Sequence, residues 1–224
     1  MPEKQYYNKL YVLQDKLLQI IQLTNMDFYL TGGTALSRYF LKHRFSDDLD
    51  LFVNQASDFK QQTQRVVAAV RQADLQIQTS TTSESFLRIT VAKDQLSLKI
   101  DFVNDVAYHY GGFEAADFFH KIDSWRNILS NKLCAVSRLE PKDIADILFI
   151  AKKFSFEWPE IIEEAKNKDL WVDPLDVSRV IKEFPGNLLD SLKWIIPVDI
   201  DILGRKLHQM CDDIFYGRSN SLAG

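Results

Sequence analysis

The sequence predicts an α+β protein whose first half mixes strands with helices and whose second half is helical. Three observations support this class. Apolar residues recur with helical spacing over residues 3–23, apolar and polar residues alternate in several short runs up to residue 104, and prolines punctuate the chain beyond residue 123. We expect an α/β core with the N-terminal helix over residues 1–120, and a helical region over residues 121–224 that packs on it.

The elements of the first half follow from these two periodicities. Helical spacing predicts helices, and alternation predicts strands. A hairpin turn is expected at Asp94 and Gln95, whereas residues 105–119 are ambiguous because Gly111 and Gly112 indicate a loop. The predicted elements are helices at 3–23, 33–42 and 57–73, and strands at 27–30, 48–52, 75–79, 84–92 and 96–104.

From about Asp123 onward the pattern is helical, with breaks at Pro141, Pro159, Pro174 and Pro185. Proline suits the first turn of a helix, because the N–H that it lacks would have no intrahelical partner there. Each of these prolines is therefore expected to lie in the first turn of a helix.

The composition indicates a globular protein. Of the 224 residues, 46% are apolar and 12% aromatic, which is enough to bury a substantial core. No apolar run approaches the ~18 residues of a membrane span, and the N-terminus lacks a signal-peptide pattern. Cys134 and Cys211 lack metal-ligand spacing, and no pair of the four histidines has zinc-site spacing. We expect a reduced, cytoplasmic protein without membrane contact.

The net charge of −4 argues against a protein that wraps long nucleic acid by electrostatics alone. The charge is uneven, however. Lys42, His43 and Arg44 form a basic turn, and more basic residues follow in the middle of the chain. A basic rim of this kind suits one nucleotide and a short RNA segment. A solvated surface is an equally good interpretation for any one of these residues.

Asp48 and Asp50 carry the strongest chemical signal. In a strand, Asp48, Asp50 and Phe52 share one face, which places two carboxylates ~7 Å apart. The carboxylates repel each other, and aspartate is a poor strand former. A divalent cation would resolve the repulsion, and oxygen ligands with open positions suit Mg²⁺ bound to a triphosphate. The alternative is a polar strand face in contact with water.

Gly32 and Gly33 lie between an apolar segment, residues 28–30, and a predicted helix. A glycine turn from strand to helix lets backbone N–H groups approach a phosphate closely. Alone, a glycine pair indicates only a tight turn. Together, the glycine turn and the acidic strand downstream suit a nucleoside triphosphate, because the turn can approach its phosphates and the strand can bind its metal ion.

These motifs resemble the nucleotidyl transferase AbiEii/AbiGii toxin family, a branch of the DNA polymerase β-type nucleotidyltransferase superfamily. The glycines, a serine and both acids occur in the family's order and near its spacing. The matching residues are Gly32, Gly33, Thr34, Ala35, Leu36, His43, Arg44, Ser46, Asp48, Leu49, Asp50, Leu51 and Phe52.

The resemblance implies a nucleotidyltransferase-like mixed sheet with flanking helices, and a metal-dependent enzyme. Such an enzyme moves an NMP from an NTP to a hydroxyl acceptor, for which RNA such as tRNA is plausible, with two Mg²⁺ ions expected. It also implies a toxin with a possible cognate antitoxin protein. The implied nucleotide-binding residues are Gly32, Gly33, Thr34, Ser46, Lys132 and Asp146.

The superfamily's two-metal chemistry needs a third carboxylate, and Asp101 supplies it. Asp101 lies in the alternating run 98–103, where a lone charge among apolar residues needs a partner. The resemblance therefore implies that Asp48, Asp50 and Asp101 are the catalytic and metal-binding residues. A surface aspartate on an edge strand is the alternative for Asp101.

Lys132 lies on the apolar side of a predicted helix over residues 124–136. Its ammonium group must meet an anion, such as a substrate phosphate or the carboxylate cluster, or extend to water. The apolar stripe around it consists of Trp125, Ile128, Leu129, Leu133 and Val136.

Asp146 is the one polar residue of the apolar run 144–151, so we expect it to pair with a cation such as Lys132 or Arg138. The run continues a pattern that resembles the family's. A structural ion pair and a substrate contact are equal alternatives for Asp146.

Two other functions remain open from the sequence. An enzyme with the same core could modify a small molecule, as aminoglycoside nucleotidyltransferases do, and the modest basic character permits this. A non-catalytic nucleotide-binding module is the second, against which the three retained carboxylates argue.

Overall fold

The computed structural model of the protein describes residues 3–224, with side chains from Lys4 onward. The chain forms two compact units. The sheet unit comprises the described residues up to 35 together with 46–107 and 112–123, and the helical unit comprises residues 36–45, 108–111 and 124–224. The predicted domains, 1–120 and 121–224, remain a proposal.

The sheet unit contains a seven-stranded mixed sheet in the order β3-β4-β5-β2-β1-β7-β6. Strand β2 runs parallel to β5 and antiparallel to β1, so the sheet is mixed as predicted. The strands are β1 (Tyr29–Thr31), β2 (Leu49–Asn54), β3 (Gln76–Thr82), β4 (Phe86–Lys93), β5 (Leu96–Asp105), β6 (Glu114–Ala116) and β7 (Phe119–Ile122). Its helices are α1 (Glu3–Leu23), α2 (Gly32–Ala35) and α3 (Phe59–Gln72).

One face of the sheet is apolar and buried. Along β2 the buried residues alternate with partly exposed ones, as the sequence predicts for a half-buried strand. Phe28 packs against Phe102 of β5 and Phe59 of α3, with ring centroids 5.0 and 6.2 Å apart. The opposite face therefore carries Asp50 and the other polar strand residues, and we call it the polar face.

Two details of the sheet differ from the prediction. Strand β2 begins at Leu49, so Asp48 lies one residue before it. Strands β6 and β7 fall in and after the segment assigned as ambiguous, 105–119, and were not predicted. They have three and four residues, too few to show a period, and β7 forms because Ile122 pairs with Leu30 of β1.

Three α-helices of the helical unit begin at the predicted breaks at Pro141, Pro159 and Pro174, whereas Pro185 precedes a short 3-10 helix, Gly186–Ser191, and the last α-helix begins at Ile200, away from any predicted break. Ser124 caps α4, its side chain accepting a hydrogen bond from the Asn127 N–H, and proline occupies the first turn of α5, α6 and α7. The helices are α4 (Trp125–Ala135), α5 (Pro141–Lys153), α6 (Trp158–Lys168), α7 (Pro174–Glu183) and α8 (Ile200–Phe215). Residues 36–41, which make up most of the helix predicted at 33–42, form a π-helical segment instead of an α-helix.

The predicted apolar stripe of α4 is confirmed. Ile128, Leu129 and Leu133 are fully buried, and Trp125 stacks on Phe154 with ring centroids 4.4 Å apart. No helix between residues 3 and 224 combines the length and apolar character that crossing a bilayer requires.

Candidate functional site

Asp50 and Asp101 lie side by side on the polar face of the sheet. The register of the parallel strands β2 and β5 pairs the two residues directly. The same row continues to Thr31 of β1 on one side and to Arg88 of β4 on the other. Neighbouring strands lie about 4.8 Å apart, and directly opposed residues project from the same face. The structure therefore brings two of the three predicted acids together.

The backbone of Gly32 lies directly against the carboxylate of Asp50. A Cβ atom placed on Gly32 would lie 2.3 Å from Asp50 Oδ2, and the residue has a φ of +66°. Both the left-handed backbone and the close approach require glycine at this position. The turn predicted to cradle a phosphate thus lies directly beside a predicted metal ligand.

Gly32→Ala is expected to lower the free energy of unfolding by about 1–3 kcal/mol, because the methyl group collides with Asp50 and strains the backbone. Gly112→Ala is the matched control, since a Cβ there meets nothing within 4 Å. Urea unfolding of both variants measures the difference. Equal stability of the two variants would contradict the close approach.

Asp48 lies on the same side of the sheet but pairs with a cation. Its Oδ2 lies 2.6 Å from Lys99 Nζ, and the two side chains are 30% and 33% exposed. Burial by itself would lower the pKa of Lys99, but the hydrogen bond and charge of Asp48 outweigh it and raise that pKa. The ammonium is therefore charged at neutral pH.

Asp101 forms a bidentate ion pair with Arg88. Arg88 Nε donates to Oδ1 and Nη2 donates to Oδ2, both at 2.7 Å. The hydrogen bonds from Arg88 to Asp101 raise the pKa of the guanidinium. The side chain of Arg88 is 39% exposed and that of Asp101 is 11% exposed, so the pair lies at the surface of the polar face.

The three acids suit a divalent cation by chemistry and placement. They supply oxygen donors only, and Asp50 and Asp101 are neighbours on one face. In the described part of the chain, however, no three His, Cys, Asp or Glu side chains are grouped so that they could hold a metal ion. Asp48 is paired with Lys99, and Asp101 is paired with Arg88. The three acids would hold a divalent cation only if it displaced Lys99 and Arg88, and their metal-binding role stays a prediction.

Thr34 and Ser46 hold the segment that leads to Asp48. The Thr34 hydroxyl, fully buried, donates to the backbone carbonyl of Asp48 and hydrogen-bonds the Ser46 hydroxyl at 2.9 Å. Gln14 of α1 donates to the carbonyls of Ser46 and Asp47. These contacts position the acid, and direct nucleotide contacts of Thr34 and Ser46 stay predictions.

In the helical unit, a buried charge cluster surrounds Asp146. Arg44 donates to both carboxylate oxygens at 2.8 and 2.7 Å, and Lys132 Nζ lies 2.9 Å from Oδ2. Lys132 also donates to Asp143. The expected pairing of Asp146 with Lys132 is confirmed. The second cation is Arg44 and not Arg138, which was predicted as an alternative partner and is exposed.

The charges of this cluster balance. Burial by itself would raise the pKa of Asp146, but Arg44 and Lys132 outweigh it and hold that pKa well below its usual range. Two carboxylates and two cations then leave no net charge. His43 and Arg44 were predicted as part of a basic turn and of the family-like motif, but no local signal shows that they contact a residue in α5. A nucleotide-binding role of Lys132 and Asp146 stays a prediction.

His43 contributes a neutral ring to the cluster. Burial, the largest effect, lowers the pKa of His43, although the Asp146 carboxylate opposes it. Nε2 lies 2.9 Å from Asp146 Oδ1 and donates to it, because an ionised carboxylate only accepts. Nδ1 is buried without a hydrogen-bond partner in the described structure, and the ring packs 5.0 Å from that of Phe149.

We expect the stability of the protein to fall as the pH drops below about 6.5, the ordinary pKa of histidine. Because the pKa of His43 is lowered in the folded protein, the unfolded chain binds the proton more readily than the folded protein does. The loss of stability therefore develops as the pH falls from the pKa of His43 in the unfolded chain to its lower pKa in the folded protein. Melting temperatures between about pH 8 and 5 measure it. His43→Gln keeps the donor to Asp146 and should flatten the curve. Parallel curves would contradict the prediction.

Comparison with known proteins agrees with this geometry. The model of a family described as "Nucleotidyl transferase AbiEii toxin, Type IV TA system" matches residues 17–193. Among curated proteins, none matches the chain.

Two solved structures share the fold. JHP933 from Helicobacter pylori has a TM-score of 0.58 and 22% identity, covering 92% of this chain and 91% of its own. A candidate nucleotidyltransferase from H. pylori has the same TM-score and identity, and the match covers 92% of this chain and 94% of that one. At this identity the likeness concerns the fold.

Proposed function

The chain belongs to the AbiEii nucleotidyl transferase toxin family, and on that premise we propose that it is a metal-dependent nucleotidyltransferase that moves an NMP from an NTP to a hydroxyl group of RNA. The observation that carries the proposal is the direct pairing of Asp50 with Asp101, with the backbone of Gly32 against the Asp50 carboxylate. A structural sheet has no need of two like charges in register, since opposed carboxylates destabilise it.

In the proposed reaction, Asp48, Asp50 and Asp101 would hold two Mg²⁺ ions. When bound, the metal stabilises negative charge on the phosphates and on the leaving pyrophosphate. Gly32 and Gly33 accommodate the phosphate chain, because no side chain stands in the way.

The acceptor hydroxyl forms a bond to the α-phosphorus, and the bond from this phosphorus to the bridging oxygen of the pyrophosphate breaks. Asp101 takes the hydroxyl proton, once Arg88 has released one of its carboxylate oxygens. Positioning and charge carry the reaction, and the protein forms no covalent bond to the substrate.

Three features support a cytoplasmic toxin that acts on RNA. The family description names a toxin–antitoxin system, for which a cognate antitoxin protein is the expected partner. Both cysteines are free, and burial raises the pKa of the Cys211 thiol to about 12. Basic residues of the sheet unit border the acids on the polar face, as an anionic substrate requires.

The test is a transfer assay with each labelled NTP, Mg²⁺ and total RNA, run in parallel with small hydroxyl compounds such as aminoglycosides. We expect label in an RNA fraction, and none when the metal is removed with EDTA. Label in a small compound alone would assign the aminoglycoside-like function instead. Nucleotide binding without any transfer would assign a non-catalytic module.

A further inference from the structure

The polar face of the sheet carries two cations to which the proposed reaction assigns no contact with the substrate. Arg88 and Lys99 lie on neighbouring strands, β4 and β5, and each contacts one of the predicted metal ligands. Arg88 belongs to the same cross-strand row as Asp101 and Asp50. Lys99 lies two residues before Asp101, so the two share a strand face.

Metal binding at this face would release two cations. Lys99 pairs with Asp48, and Arg88 pairs with Asp101. A divalent ion on these carboxylates would compete directly with Arg88 and Lys99 for the same oxygens. The displaced cations would remain at the site, where the nearest new anion is the triphosphate of the incoming nucleotide.

Both cations suit an exchange of partners. Their side chains are 39% and 33% exposed, and ion pairs at that exposure contribute little stability. The guanidinium of Arg88 now grips a carboxylate with two parallel hydrogen bonds, and the same fork matches two phosphate oxygens. The long stem of Lys99 can move its ammonium group without a change in the strand.

We propose that Arg88 and Lys99 bind the phosphates of the nucleoside triphosphate, and that they leave Asp101 and Asp48 for it when a divalent cation takes their place. This inference rests on the proposed nucleotidyltransferase function. It assigns to the two residues a double role: they neutralise the acids before metal arrives and hold the substrate afterwards.

The proposal predicts opposite changes in two affinities. In Arg88→Gln and Lys99→Gln, Mn²⁺ no longer competes with a cation, so without nucleotide it should bind several-fold more tightly, as followed by electron paramagnetic resonance. With Mn²⁺ present, the α,β-methylene analogues of ATP, GTP, CTP and UTP are each titrated separately by calorimetry. Any analogue that the wild-type protein binds should bind to the two variants with an affinity at least about tenfold lower. Arg88→Lys keeps the charge but loses the fork, and should fall between.

Lys60→Gln is the matched control, because Lys60 pairs with Glu84 at an exposed position of the sheet unit. It should alter neither affinity. If Arg88→Gln and Lys99→Gln leave both affinities at wild-type values, or lower both in parallel with the melting temperature, the pairs are structural and the proposal is overturned. If the wild-type protein transfers nucleotide in that case, the proposed function stands and only the role of Arg88 and Lys99 is overturned. Wild type that binds neither Mn²⁺ nor any analogue overturns the proposed function as well.

Discussion

Nucleotide transfer by Asp50→Asn is expected to fall at least about a thousandfold, equivalent to about 4 kcal/mol of transition-state stabilisation. The amide keeps the shape of the carboxylate but is a neutral, weak ligand that cannot offset the charge of a metal ion. Asp50 also lies beside Asp101 and against Gly32, so its loss affects the metal and the phosphate turn together. The measurement is the initial rate of label transfer at saturating Mg²⁺ and NTP.

The fold should survive this change. Removing one of two opposed carboxylates relieves repulsion in the metal-free protein, so the free energy of unfolding should stay the same or rise. Asp94→Asn is the control, since Asp94 lies in the exposed β4–β5 hairpin with a φ of 54° that asparagine adopts readily. Its transfer rate should match wild type. A fully active Asp50→Asn enzyme would contradict the catalytic assignment.

Asp146→Asn should produce the largest loss of stability, about 3–5 kcal/mol. Asp146 is fully buried and accepts hydrogen bonds from Arg44 and His43, with Lys132 2.9 Å away. The neutral amide would leave the buried guanidinium of Arg44 without its counter-charge. The contribution of Asp146 is present at neutral pH and is lost as pH falls through its lowered pKa, because only the ionised form attracts the cations.

Urea unfolding at neutral pH measures this loss. The matched control is Asp176→Asn, which breaks the exposed pair of Asp176 with Arg179 on α7 and should change stability by less than about 1 kcal/mol. If Asp146→Asn unfolds at the same urea concentration as the control, the cluster does not support the helical unit. A direct substrate role of Asp146 would then be the stronger interpretation.

Periodicity predicted most of the elements. The helix at 3–23 and the hairpin at Asp94 were found where expected, and the alternation in β2 was confirmed residue by residue. These are short-range properties, because the spacing of apolar residues along a few turns or a few pleats already states which side is buried. Strands β6 and β7 were not predicted because they are too short to show a period, and because β7 pairs with the distant strand β1 while β6 pairs only with β7.

The sequence alone determined the α+β class, the glycine turn and the two acids after it, and the family to which these motifs belong, since each rests on residues close together along the chain. Tertiary structure decided the partners of the charges. The register of β2 with β5 placed Asp101 beside Asp50, and folding brought Arg44 to Asp146 across 102 positions. The need of Asp146 for a cation could be predicted from its apolar surroundings, but Arg44 could not be identified as a partner, because proximity in space does not show in the spacing along the chain.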